Sequence, residues 1–253
     1  MNPHPPASGG APSAAGSAPS PVTAQLPLSL RPPPDQRLET FVAPPDGALD
    51  QLRALAHGTH ADWLYMAGPA ASGKTHLLLG TCAATREAGR RAAYLPLAAA
   101  AGRLREALDA MEGHDLLALD GVEAVVGRRE DEVALFDAHN RARASGTTVV
   151  YAARQAPDAL SPGLPDLHSR LSQCTRLVLS PLDDAGRREV LRTRAQRRGW
   201  ALEEAALDWL LRRVGRDLAG LTALLDRLDQ ASLAAQRRVT VPFLRQVLGT
   251  STP

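Results

Sequence analysis

The sequence predicts an α/β protein: a parallel five-stranded sheet covered by helices, followed by a small all-helical domain. Three observations carry this. Short apolar runs alternate with helix-period segments between residues 63 and 179, the pattern of a parallel sheet buried on both faces. After Ser180 the strand pattern stops and only helix-period segments remain. Between the first strand and its helix stands Gly68-Pro69-Ala70-Ala71-Ser72-Gly73-Lys74-Thr75, which has the G-x-x-x-x-G-K-[ST] spacing of a phosphate-binding loop.

Residues 1–24 are almost entirely Pro, Ala, Ser and Gly. Such a composition cannot bury enough apolar surface to offset ordering entropy, so a disordered tail is expected. Gln25-Leu26-Pro27-Leu28-Ser29-Leu30 follows, with leucines at alternate positions. That spacing suits either an extended peptide docking into a partner's pockets or a short edge strand on this chain's own core.

The α/β domain is expected over 38–180. Asp46-Gly47 opens a helix with Leu49, Leu52 and Leu55 on one face. Strands are expected at Trp63–Ala67, Ala92–Pro96, Leu116–Asp120, Thr147–Ala152 and Arg176–Leu179. Between them fall helices at Thr75–Gly89, Ala98–Met111, Glu130–Ser145 (Val133, Leu135 and Phe136 inward) and Asp166–Leu171. The helical domain, 181–249, holds Asp183–Arg198 behind an Asp183-Asp184 cap, then Glu203–Val214, Arg216–Ala235 and Val241–Leu248.

The loop spacing has a chemical reason. Glycines let successive backbone N–H groups turn inward, and the following helix adds its positive end. Lys74 would neutralise β- and γ-phosphates, and the Thr75 hydroxyl would hold Mg²⁺. The alternative is a Gly-rich turn that binds nothing. Against it, Lys74 is the only lysine of the chain; every other basic residue is arginine. A compact ammonium has been kept where it suits a phosphate.

Composition excludes several classes. A net charge of +2 is too mild to argue nucleic-acid binding by itself. Cys82 and Cys174 lie far apart with no C-x-x-C, which fits free thiols in a reducing cytosol. No run has the length of a membrane span and no secretory signal opens the chain, so a cytoplasmic protein without membrane partners is expected.

Asp120 closes the apolar run Leu116-Leu117-Ala118-Leu119, at the strand end where ligands of parallel sheets sit. Its carboxylate can share a Mg²⁺ with Thr75. The next residue, Gly121, offers no second carboxylate to activate water, which argues for slow turnover; Glu123 lies two positions further on.

These features together resemble the AAA+ ATPases of the DnaA clade, and within it the Hda family of DnaA inactivators. The likeness runs from Gln25 to Leu248. It rests on the phosphate loop, the strand ending in Asp120, Phe136-Asp137-Ala138-His139-Asn140-Arg141, Leu164-Pro165-Asp166-Leu167-His168-Ser169-Arg170-Leu171, and Gly215-Arg216-Asp217. Leu228-Asp229-Gln230-Ala231-Ser232 and Val239-Thr240-Val241-Pro242-Phe243 add to it.

The resemblance implies an AAA+ domain with a helical lid and a nucleotide site (ADP or ATP, with Mg²⁺) at Gly68–Thr75, His76, Asp120 and Arg216. Arg216 matches the sensor-2 arginine. Arg170 matches the arginine finger, which acts in trans on a neighbour's γ-phosphate. Gln25, Leu26, Leu28 and Leu30 match the peptide that binds the DNA polymerase III sliding clamp. The implied function is negative regulation of replication initiation: docking on the DNA-loaded clamp and stimulating hydrolysis of DnaA-bound ATP, with homo-oligomers possible.

Two departures stand out, Gly121 and the Ala152-Ala153-Arg154 that replaces the polar sensor-1 group; both argue against independent hydrolysis. With the chain closing soon after Leu248, no helix-turn-helix reader is expected. Two rival readings remain. A helicase-loader-like ATPase would bind single-stranded DNA, though no dense basic, aromatic-interleaved patch supports it. A structural adaptor would hold no nucleotide.

Overall fold

The computed structural model describes residues 36–59, 62–200, 202–213 and 240–247. The expected tail (1–24), the docking peptide (25–30), the helix over 216–235 and Arg216 lie outside the described residues.

Strands β1 (Leu64–Ala67), β2 (Ala92–Pro96), β3 (Leu116–Asp120), β4 (Thr148–Ala153) and β5 (Thr175–Val178) form one sheet in the order β2-β3-β4-β1-β5. All four pairings are parallel, with Met66 opposite Ala152 and Leu177, and Asp120 opposite Ala152. β4 therefore lies between β1, which feeds the phosphate loop, and β3, which ends in Asp120.

Period-two alternation sends the strand residues to two separate cores. Leu64, Met66, Leu116, Ala118, Val150 and Ala152 pack under α1 (Ala48–His57) and α2 (Lys74–Glu87) through Leu52, Leu55, Leu77, Leu78 and Cys82. Tyr65, Leu117, Leu119, Val149 and Tyr151 face the other way. They meet α3 (Leu97–Ala100), α4 (Leu104–Asp109), α5 (Arg129–Ser145), α6 (Pro157–Leu160) and α7 (Pro165–Ser172). A third cluster, Leu191, Ala195, Trp200, Leu207, Leu210 and Leu244, unites α8 (Asp184–Arg197), α9 (Glu204–Arg213) and α10 (Val241–Val247).

Caps follow the sequence signals. The Asp183 carboxylate accepts from Gly186 N at 2.7 Å to start α8. Gly146, in left-handed backbone at φ +73°, ends α5.

The strands lie within a residue of expectation, but the helix expected over Ala98–Met111 is two. Gly102 takes φ +85° and breaks it between α3 and α4. Asp131, buried on α5, stabilises the break by accepting from Gly102 N at 2.7 Å and Leu104 N at 3.3 Å. α5 also differs in its inward face: Ala134, Leu135, Ala138, His139 and Ala142 are buried, whereas Val133 and Phe136 are half-buried. Short 3-10 turns at Leu38–Thr40 and Val122–Ala124, and the single turn α6, were not apparent in the periodicity.

Candidate functional site

The loop after β1 is anchored where it leaves the strand. Gly68 N donates to Ala153 O at 3.2 Å, and Leu179 N donates to Ala67 O at 2.8 Å. A Cβ on Gly68 would lie 2.5 Å from Leu179 O, so only glycine passes this point. Gly73 takes φ +92°, and a Cβ there would meet the Phe41 ring at 2.5 Å.

Lys74 is buried at the centre of the turn. Its Nζ donates to Gly68 O at 2.5 Å, to Pro69 O at 2.7 Å and to Ser72 Oγ at 3.4 Å. Burial lowers its pKa from the ordinary lysine value, while Asp120 and Glu123 act in the opposite direction.

Across the carboxyl end of β4, Thr75 Oγ1 donates to Asp120 Oδ2 at 2.5 Å. The same oxygen accepts from Tyr94 Oη, on β2, at 2.9 Å. Burial, and then the Asp120 charge, push the Tyr94 phenol above its usual range. A hydroxyl and one carboxylate, completed by phosphate oxygens and water, is a donor set that suits Mg²⁺. Among the described residues no group of three or more His, Cys, Asp or Glu gathers as an all-protein metal cage.

The helix N-terminus also holds the segment that leads into the domain. His76 Nε2 lies 2.8 Å from Arg37 O and 3.0 Å from Thr40 Oγ1, and its ring meets Phe41 edge-on at 5.4 Å. Beside Gly73–His76 opens a cavity of about 290 Å³. Gln36, Thr40, Phe41 and Val42 form one wall, and Val190, Thr193, Arg194 and Arg197 of α8 form the other. Arg187, buried, fixes the approach to α8 by donating to Leu182 O at 2.5 Å and pairing with Asp184.

Glu123, on the turn after Asp120, is held by Arg154, the residue following β4. Arg154 Nε lies 3.3 Å from Oε1, and the Arg154 backbone N–H donates to Oε2 at 3.1 Å.

Arg170 sits elsewhere. It is half-buried on α7, which packs on α5 and α6, and it does not line the cavity. Near it lies His139, buried on α5, with Nδ1 3.0 Å from Tyr151 Oη and Nε2 without a hydrogen-bond partner. Burial, and then the Arg143 and Arg170 charges, lower the His139 pKa to about 4.

The structure thus brings Gly68–His76 and Asp120 together and leaves Arg170 apart. Gln25, Leu26, Leu28, Leu30 and Arg216 lie outside the described residues. Sequence reasoning did not single out Tyr94, Phe41, Arg194 or Arg197. Tyr94, at the carboxyl half of a strand neighbouring Asp120, was the one with a local signal.

The family model for the Hda lid domain matches residues 184–248. The fold is similar to domain III of the Thermotoga maritima replication initiation protein DnaA, with TM-score 0.68 and 24% identity over 86% of this chain and 97% of that one. AMPPCP-bound DnaA from Aquifex aeolicus is similar at TM-score 0.64 and 21% identity, over 81% of this chain and 69% of that one. The Thermotoga maritima RuvB Holliday junction branch migration motor follows at TM-score 0.60 and 16% identity, over 87% and 72%. The sheet order and the phosphate-loop geometry at the end of β1 thus belong to a fold similar to that of these proteins, and residues 184–248 match the Hda lid model.

Proposed function

We propose that this chain binds ADP or ATP with Mg²⁺ at Gly68–Thr75 and uses Arg170 to promote hydrolysis of ATP held by the initiator DnaA. It would thereby act as a negative regulator of replication initiation. The observation that carries the reading is the state of Arg170. Its guanidinium makes no hydrogen bond or ion pair among the described residues and stands outside its own cavity, whose cations are Lys74, Arg194 and Arg197. A cation so placed suits a neighbour's phosphate, where an arginine in trans is worth on the order of 10³ to 10⁵ in rate.

The nucleotide reading is supported by Lys74, Thr75 and Asp120 at one loop and by the AMPPCP that the similar Aquifex DnaA binds. Thr75 and Asp120 would hold the Mg²⁺, which neutralises phosphate charge when bound. His76 keeps Phe41 and Thr40 against the loop of the α/β domain (38–180), and α8 of the lid (181–249) forms the other wall of the same cavity. Arg216 would reach the same nucleotide from the lid.

Gln25, Leu26, Leu28 and Leu30 would dock on the DNA polymerase III sliding clamp, linking the chain to DNA indirectly. A short peptide of this kind binds at about the micromolar level, and a clamp retained on DNA raises the local concentration of its partners. No described helix is long and apolar enough to cross a membrane, which agrees with action in the cytoplasm.

The test is a reconstituted reaction with DnaA–ATP, clamp and DNA. Stimulated hydrolysis that needs both the clamp and residues 25–30 supports the reading. Full stimulation without the clamp, or clamp retention after deletion of residues 1–30, rejects the docking step.

A further inference from the structure

We propose that Glu123 is the general base for this chain's own ATP hydrolysis and that Arg154 holds it in reserve, a proposal that rests on the nucleotide reading above. The position next to Asp120 does not favour a carboxylate. Gly121 takes φ +81°, where an L side chain is strained. The nearest following carboxylate is Glu123, on the turn Val122–Ala124.

The backbone places that turn at the site. Gly121 N donates to Ala152 O at 2.8 Å, and Gly68 N donates to Ala153 O at 3.2 Å. Arg154 comes next in the chain, so the Glu123–Arg154 pair stands at the end of β4, between the phosphate loop and Asp120. The pair is open to water: the side chains are 32% and 69% exposed. An exposed ion pair is weakly held, so this restraint is readily released.

Once released, the Glu123 carboxylate takes a proton from a water molecule. The water oxygen bonds to the terminal phosphorus as the bond from phosphorus to the bridging oxygen breaks. ADP and inorganic phosphate leave, and the proton passes from Glu123 to solvent. With the pair closed, the water keeps its proton and turnover stays low.

Single-turnover ATP hydrolysis by the full-length chain tests this. Arg154→Ala is expected to raise the rate on the order of tenfold, and adding Glu123→Gln should return it to the starting level or below. Binding of a fluorescent ATP analogue is measured on the same samples. If nothing binds, the nucleotide reading fails and this proposal with it. If the analogue binds and Arg154→Ala hydrolyses no faster, the reserve role is overturned. The restraint is also read without nucleotide: Glu123→Ala should speed hydrogen exchange at the Arg154 amide on the order of tenfold, because an exposed amide exchanges faster than a bonded one. Unchanged exchange would overturn the contact itself.

Discussion

Thr75 Oγ1 and Asp120 Oδ2 lie 2.5 Å apart, reaching from the N-terminus of α2 to the end of β3 over a strand that ends in two alanines. The small side chains of Ala152 and Ala153 leave that path clear. Thr75→Ala and Asp120→Ala should each weaken Mg²⁺-dependent nucleotide binding by at least about tenfold, with little difference between variants once the metal is chelated. Titrations with and without EDTA check this. Tyr94→Phe removes one of the two bonds to the same oxygen and should cost about 1 kcal/mol of stability.

Gly68→Ala tests the loop anchor. The added methyl would sit 2.5 Å from Leu179 O and 2.7 Å from Ser72 Oγ, so backbone must move. A loss of about 1–3 kcal/mol is expected in thermal or denaturant unfolding. Gly89→Ala, at φ +75° but with nothing within reach of its Cβ, meets backbone strain without a clash and should cost less.

His139 makes stability depend on pH. Its folded pKa of about 4 lies below the ordinary histidine value of 6.5, so between these values the unfolded chain binds a proton that the folded chain does not. Stability is therefore full above about pH 6.5 and falls as pH drops towards 4, by on the order of 3 kcal/mol from this residue. Unfolding measured against pH should show a shallower slope in that window for His139→Asn. An identical slope would remove His139 as the cause.

Arg170→Ala should abolish stimulation of DnaA–ATP hydrolysis while preserving the shift in melting temperature that nucleotide gives to this chain. Arg170→Lys should restore little, because a planar guanidinium and a point-charge ammonium place their donors differently. Stimulation at the wild-type rate by Arg170→Ala would move the trans-acting role to another residue.

Much of the fold was legible because strands buried on both faces leave continuous apolar runs with polar ends. β2 and β3 fall on their expected residues, and β1, β4 and β5 shift by one at their edges. What escaped depends on distant partners. The break at Gly102 is stabilised by Asp131, far along the chain on α5. The Glu123–Arg154 pair joins residues on different loops, which no local spacing announces. The phosphate-loop residues were visible because their spacing is the geometry. Tyr94 and the α8 arginines were not, because the sheet order and the lid's packing place them there.

The two cores divide more than packing. α2, with the phosphate loop, rests on one face of the sheet, and α7, with Arg170, rests on the other. Substitutions that dull chemistry on the α2 side need not disturb the bed on which α7 lies. Selection can therefore let one side drift while holding the other fixed. A lineage could in this way pass from working on its own fuel to governing another protein's, without rebuilding the scaffold between the two.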